Sequence, residues 1–220
     1  MRDIGTNYLL LGKYKLAEDF LTKSLRLNPV DYINLNSLGL VKMRLEKYND
    51  AKPLYDKAIK TNKNYHPSYN NLGLYYDRFG EKEKAFDCYK KALNLEPNYP
   101  NSLNNIGLIY FYYEENKKAF NCFNRALKID PHMIDLYFNI GHSYFKLRKF
   151  VDAEKWFKKG FKLEPKNING HYNYSFMLLA LHKYKKAWEE YEYRLKKSPR
   201  INENFLYEDI KNKLWKKQKL

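Results

Sequence analysis

Alanine returns at Ala17, Ala51, Ala85, Ala119, Ala153 and Ala187, each 34 residues after the last with no insertion between them. Glycine keeps the same interval at Gly5, Gly39, Gly73, Gly107 and Gly141, with Ser175 in the sixth place. Proline keeps it at Pro29, Pro97, Pro131, Pro165 and Pro199, with Lys63 on the missed beat. Three interleaved series in one register restrict the chain to a stack of similar supersecondary units, each burying its apolar face on the next.

Each unit reads as a helical hairpin. In the third, Tyr69, Leu72, Tyr76 and Phe79 fall on one face of a helix, Gly80-Glu81-Lys82 makes a turn, and Ala85, Cys88, Tyr89, Ala92 and Leu93 form a second amphipathic face. Small side chains allow two helices to approach closely, so Gly73 and Ala85 mark the expected crossing and Ala92 the docking point of the following unit. Proline has no N–H to donate and disfavours helix at the residue before it, so the recurring Pro sets the length of the second helix.

Gly, Tyr, Ala, Ala and Pro at Gly73, Tyr76, Ala85, Ala92 and Pro97 resemble the tetratricopeptide repeat, over residues 1–199. The resemblance implies an all-α, right-handed superhelix, an alpha-alpha solenoid of about six hairpins, with units near 1–31, 32–65, 66–99, 100–133, 134–167 and 168–199. The first unit starts near its fourth repeat position, so a shortened first helix is expected. Residues 200–220 are expected to form a basic capping helix, with Phe205, Leu206, Ile210, Leu214 and Trp215 on its apolar side. The unbroken period of 34 counts against the related RNA-binding pentatricopeptide family, whose period is usually 35.

Members of this family generally bind peptides on the concave side, through the second, fifth, sixth, ninth, twelfth and thirteenth repeat positions. The sixth gives Asn71, Asn105, Asn139 and Asn173, a row of carboxamides preceded by Ser37. Each carries donors and an acceptor together, so the row suits the backbone of an extended peptide whatever its sequence. It resembles the asparagine ladder of O-linked N-acetylglucosamine transferases. The neighbouring positions hold Leu40, Leu74, Leu108, Phe111, Tyr112, Phe138, Phe145, Tyr172 and Phe176, an adhesive apolar channel if exposed and inter-helix packing if not.

The carboxylate clamp that grips chaperone tails needs Lys or Arg and Asn at the fifth and ninth positions. Here those pairs are Asn36 with Leu40, Asn70 with Leu74, Asn104 with Leu108, Phe138 with His142 and Tyr172 with Phe176, so no clamp is expected. The partner implied is a protein or peptide in the groove.

No catalytic constellation, cofactor or metal is expected. The five histidines, His66, His132, His142, His171 and His182, share no metal-ligand spacing, and there is no glycine-rich phosphate loop. Cys88 and Cys122 occupy one repeat position in adjacent units, where other units hold Phe20, Leu54, Trp156 and Glu190, which favours packing over redox chemistry. His142, in the groove, is a possible pH sensor or merely structural. Two cysteines without framework spacing, and no long apolar run, fit a cytoplasmic protein without a membrane span.

The formal charge is +16, and 33 of the 41 basic residues are lysine, beside many other residues with A/T-rich codons, so genome bias explains the excess without a polyanion. The excess is nonetheless uneven: residues 1–140 carry 21 basic and 16 acidic side chains, residues 141–220 carry 20 and 9. Lys155, Lys158, Lys159 and Lys162 share a helix, and Lys211, Lys213, Lys216, Lys217 and Lys219 crowd the tail. Sparse arginine and the lack of a base-reading motif argue against nucleic acid. A second alternative comes from the run Lys183 to Arg194, which is similar to the last repeat before the glycosyltransferase domain of a class of bacterial proteins. That likeness implies a targeting arm whose catalytic domain lies outside these 220 residues. The principal expectation is a non-catalytic interaction scaffold of unspecified oligomeric state.

Overall fold

The computed structural model describes residues 1–195, which form twelve α-helices and no strand. The helix expected within 200–220 lies outside the described residues. In chain order the helices are α1 (Arg2–Leu10), α2 (Tyr14–Leu27), α3 (Tyr32–Arg44), α4 (Tyr48–Thr61), α5 (His66–Arg78), α6 (Lys82–Leu95), α7 (Pro100–Tyr112), α8 (Asn116–Ile129), α9 (Ile134–Lys146), α10 (Phe150–Leu163), α11 (Ile168–Ala180) and α12 (Tyr184–Leu195). The all-α solenoid class expected from the repeat is the class observed. The chain divides into two compact units, an N-terminal one over residues 1–130 and a C-terminal one from residue 131 on.

The helix boundaries follow local chemistry. Second helices α2, α4, α6, α8 and α10 each run 14 residues and stop where the next residue turns extended, at Asn28, Asn62, Glu96, Asp130 and Glu164. Four of those residues precede a proline, which disfavours helix there. Asn62 precedes Lys63 and adopts the same geometry, so proline reinforces a stop that inter-helix packing already imposes. Asp31 caps α3, its carboxylate accepting from the backbone N–H of Ile33 and Asn34 at 3.1 Å each, and Asn167 caps α11 by accepting from Gly170 N–H at 2.7 Å. The turn inside every hairpin passes through a left-handed residue. It is glycine at Gly12 and Gly80, but Glu46, Glu114, Arg148 and His182 take the same positive φ.

In the N-terminal unit each first helix packs on its own second helix, each second helix packs on the next first helix, and α1, α3 and α5 also touch in sequence. Ala17, Ala51, Ala85 and Ala119 are fully buried, as expected of a crossing point. The glycine opposite them has a further reason. A Cβ on Gly73 would lie 2.5 Å from the ring of Tyr89, and Gly39 and Gly107 stand in the same relation to Tyr55 and Phe123. Glycine is therefore required by an aromatic ring one turn past the alanine, as well as by the backbones that cross beside it.

The C-terminal unit buries Phe138, Ala153, Phe157, Tyr174, Met177, Leu178 and Ala187 in one cluster. The His171 ring lies between Phe161 and Tyr193, with its Nδ1 at the Glu190 carboxylate and its Nε2 2.8 Å from the Pro165 carbonyl, which ties α11 to α12. Among the described residues no helix is long and apolar enough to cross a membrane.

Candidate partner-binding face

Residues four apart on a helix lie one above the other, so the fifth, ninth and thirteenth positions of a first helix make a single stripe. In the N-terminal unit three such stripes stand on α3, α5 and α7. They read Asn36-Leu40-Arg44, Asn70-Leu74-Arg78 and Asn104-Leu108-Tyr112. Across the helices they form three rows: carboxamides, leucines, and a cationic-aromatic row.

The carboxamide row is occupied by its own members. Asn105 Nδ2 donates to Asn70 Oδ1 at 3.1 Å, Ser102 Oγ donates to the same oxygen at 3.0 Å, and Asn71 Nδ2 donates to Asn36 Oδ1 at 3.0 Å. Longer contacts of 3.4 Å from Asn70 to Asn71 and from Asn104 to Asn105 complete a relay from α7 to α3. Asn36, Asn70, Asn71 and Asn104 are buried and Asn105 is half-buried. Asn71 and Asn105, expected to meet a peptide, are in this unit also bonded to the fifth-position amides of the preceding repeat. Burial makes mutual hydrogen bonding the inexpensive arrangement, and the relay holds neighbouring first helices together.

The leucine row is graded. Leu40 and Leu74 are half-buried, Leu74 resting against the core beneath α6 and α7, while Leu108 is exposed. Phe111 is half-buried, and Tyr112 is 64% exposed, with Lys82 Nζ 5.3 Å from its ring centre. Arg44 and Arg78 are exposed, the Arg78 guanidinium lying 5.7 Å from the ring of Tyr48.

In the C-terminal unit the corresponding stripes read Phe138-His142-Lys146 and Tyr172-Phe176-Ala180. Phe138 was expected in the channel and is instead 2% exposed, packed against Phe157 and Phe161. Its ring fills the space that side chains on Gly160 and Gly170 would need. Asn139 and Asn173 are half-buried, and the Asn139 carbonyl accepts from Ser143 Oγ at 2.8 Å. His142 is half-buried with an enclosed Nδ1 that has no partner among the described residues; burial, with help from Lys146, pushes its pKa down. Phe145 meets His142 edge-on and also contacts Phe150. Tyr172 stands edge-on to Phe176, which is exposed.

Outside this face, Cys88 and Cys122 are half-buried at the edges of the core, and burial raises the Cys88 thiol pKa to about 11, the opposite of an activated nucleophile. No group of three His, Cys, Asp or Glu among the described residues is placed to hold a metal ion. Two features escaped the sequence reading. The relay joins residues 35 apart, one more than the period, a diagonal visible only if the fifth and sixth positions are read together. Arg44 and Arg78 stand exactly one period apart at a groove position, a signal that was available in the chain.

Family models for the tetratricopeptide repeat match residues 3–31, 31–96, 100–133 and 134–167. No curated protein matches the chain. Among solved structures, the chain is similar to TTC0263, a thermophilic tetratricopeptide protein of Thermus thermophilus, with 22% identity, a TM-score of 0.72, and 81% of this chain and 97% of that one covered. It is similar to MamA, with 28% identity, a TM-score of 0.56 and coverage of 76% and 97%. It is also similar to YrrB, described as a tetratricopeptide protein with an unusual peptide-binding site, with 19% identity, a TM-score of 0.52 and coverage of 82% and 93%.

Proposed function

The chain belongs to the tetratricopeptide repeat family, and from that premise we propose that it is a non-catalytic scaffold that takes a partner polypeptide segment across the first helices of residues 1–130. The observation that carries this reading is the leucine row Leu40, Leu74 and Leu108, continued by the exposed Tyr112 and set between a self-satisfied amide relay and an open cationic edge. Apolar groups in register on successive first helices, half-buried at Leu40 and Leu74 and exposed at Leu108 and Tyr112, suit a contact surface better than scattered surface hydrophobes do. Asn71 and Asn105 retain hydrogen-bonding capacity beyond the relay, since a carboxamide has two N–H groups and two lone pairs, and that capacity suits a passing peptide backbone. The fold shared with YrrB is compatible with this use.

The test pans a displayed random-peptide library on the whole chain and measures selected peptides by fluorescence anisotropy. Replacing Leu108→Asp and Tyr112→Asp together should weaken them by about tenfold or more, because a desolvated apolar anchor contributes on the order of 1–2 kcal/mol. Unchanged affinity in the folded double variant would remove the face from the account. A second reading is favoured by one observation. Lys155, Lys159 and Lys162 are exposed along α10 and, with Lys166 just beyond it, are not paired to a carboxylate among the described residues, while Lys158 is held by Glu154 at 2.9 Å. Such a stripe suits a polyanion. A labelled single-stranded oligonucleotide that binds with steep salt dependence, and is released by Lys155→Glu with Lys159→Glu, would support that use.

A further inference from the structure

We infer that the segment taken by the N-terminal face is acidic as well as apolar, its apolar side chains lying on Leu40, Leu74 and Leu108 and its carboxylates pairing with Arg44 and Arg78. The inference rests on the docking reading above and adds the chemistry of the partner. Four observations support it.

First, the cations around this edge divide sharply. Lys42 is held by Glu18 and by Asp50, each at 2.9 Å, Lys47 by Glu18 at 2.8 Å, and Lys82 by Asp77 at 2.5 Å. Among the described residues no carboxylate pairs with Arg44 or Arg78. The acids beside this edge, Glu18, Asp50 and Asp77, pair with lysines, whereas Arg44 and Arg78 are exposed, Arg78 lying over the ring of Tyr48.

Second, the residue type is informative in this composition. Lysine outnumbers arginine 33 to 8, yet both of these aligned positions are arginine. A guanidinium grips a carboxylate through two parallel N–H bonds, which an ammonium does not do.

Third, both arginines sit in the last turn of their helices, where the macrodipole favours a cation. That role alone would account for one basic group per helix end, and α3 already has Lys42 there. It gives no reason for the same position on neighbouring helices, each directly above a leucine of the row.

Fourth, the spacing defines a ligand. Neighbouring helices lie roughly 8–10 Å apart and an extended chain advances about 3.3 Å per residue with its side chains alternating between two faces, so carboxylates that reach both Arg44 and Arg78 would stand about two or four residues apart, on one face of the segment. The apolar side chains of the same segment would alternate toward the leucine row. On α7 the row ends in Tyr112, which offers a hydroxyl and a ring edge in place of a third charge.

The test uses the full chain and a displayed random-peptide library, selected in parallel on wild type and on the Arg44→Glu, Arg78→Glu double variant, with circular dichroism confirming that the variant is folded. Wild type should enrich peptides with Asp or Glu at spacings of about two or four, alternating with apolar residues. These peptides should lose about tenfold in affinity on the charge-reversed chain, as expected for two exposed ion pairs, and their binding to wild type should weaken in high salt. The reversed chain should enrich Lys or Arg in their place, and Arg44→Lys with Arg78→Lys should fall between. Peptides that require Leu108 and Tyr112 but show no acidic enrichment and no response to the arginine variants would overturn this inference and leave the docking face standing. A library that yields no binder dependent on Leu108 and Tyr112 would overturn both.

Discussion

In residues 1–130 the fifth repeat position carries Asn36, Asn70 and Asn104, and carboxamides bonded from one unit to the next join α3, α5 and α7. In residues 131–195 the same position carries Phe138 and Tyr172, and at Phe138 a buried ring takes the place of the amide. The two solutions make different demands on their surroundings. An amide needs a polar neighbour at hydrogen-bonding distance, which Ser102 and the adjacent asparagines supply. A ring needs volume, and the chain provides it with Gly160, where α4, α6 and α8 carry Ala58, Ala92 and Ala126, and with Gly170, where α3, α5 and α7 carry Asn34, Ser68 and Ser102. One repeat can therefore be held by polar or by apolar cohesion, provided that three positions change together. The choice leaves the ninth and thirteenth positions of the N-terminal unit to the proposed partner.

The largest effect should come from emptying the aromatic solution. Phe138→Ala should cost about 3–5 kcal/mol in urea unfolding, since a fully buried ring is lost and a cavity remains. Gly170→Ala should cost about 1–3 kcal/mol by overpacking, and less in a Phe138→Leu background, where the ring is gone. If the two substitutions are simply additive, the ring and the glycine are not the matched pair described here.

Next is the amide solution. Asn70→Ala should cost about 2–3 kcal/mol, because it strands Ser102 Oγ and the amides of Asn71 and Asn105 in a buried setting. Asn173→Ala, on the half-buried side of the C-terminal unit, should stay within about 0.5 kcal/mol. Equal costs at both sites would erase the contrast between the two regions.

A smaller change should stabilise. Among the described residues the hydroxyls of Tyr55 and Tyr89 are buried without a partner, and burial pushes both phenol pKa values far up. Phe123 and Phe157 stand at the equivalent places in later units. Tyr89→Phe should therefore raise stability by about 0.5–1 kcal/mol in the same unfolding assay, and a clear loss would show that the hydroxyl has a partner.

The smallest effect concerns pH. Burial, then Lys146, lowers the His142 pKa from 6.5, so the unfolded chain takes up this proton at higher pH than the folded one. Stability attributable to His142 is full above the unfolded value and declines as pH falls through it. His142→Leu, which installs the residue found at Leu40, Leu74 and Leu108, should remove that slope between pH 7 and about 6. An unchanged slope in the variant would place the titration elsewhere.

How far the chain could be read in advance follows from the same residues. The hairpins, their lengths and the buried alanines were legible because a strict 34-residue period overdetermines them. The partner of each glycine was not, because spacing alone does not show that Tyr89, rather than Ala85, comes nearest to Gly73. The asparagines were legible, but the bonds that join them to one another in the N-terminal unit were not. Residue type records that an amide can bond to a peptide, whereas burial and the diagonal step from Asn36 to Asn71 decide that it bonds to its neighbour. Phe138 was misplaced for the converse reason: its position faces the groove in the family pattern, and only the paired glycines at 160 and 170 reveal that it turns inward.

The account's central claim is that the leucine row of residues 1–130 is the surface a partner covers. Methyl-resolved NMR of the whole chain, titrated with a library-selected acidic peptide, tests it most directly. The account predicts that the methyl signals of Leu40, Leu74 and Leu108 shift together and saturate with one affinity. If those signals stay still while Val151 and Leu163 on α10 respond, the docking surface is elsewhere and the claim is wrong.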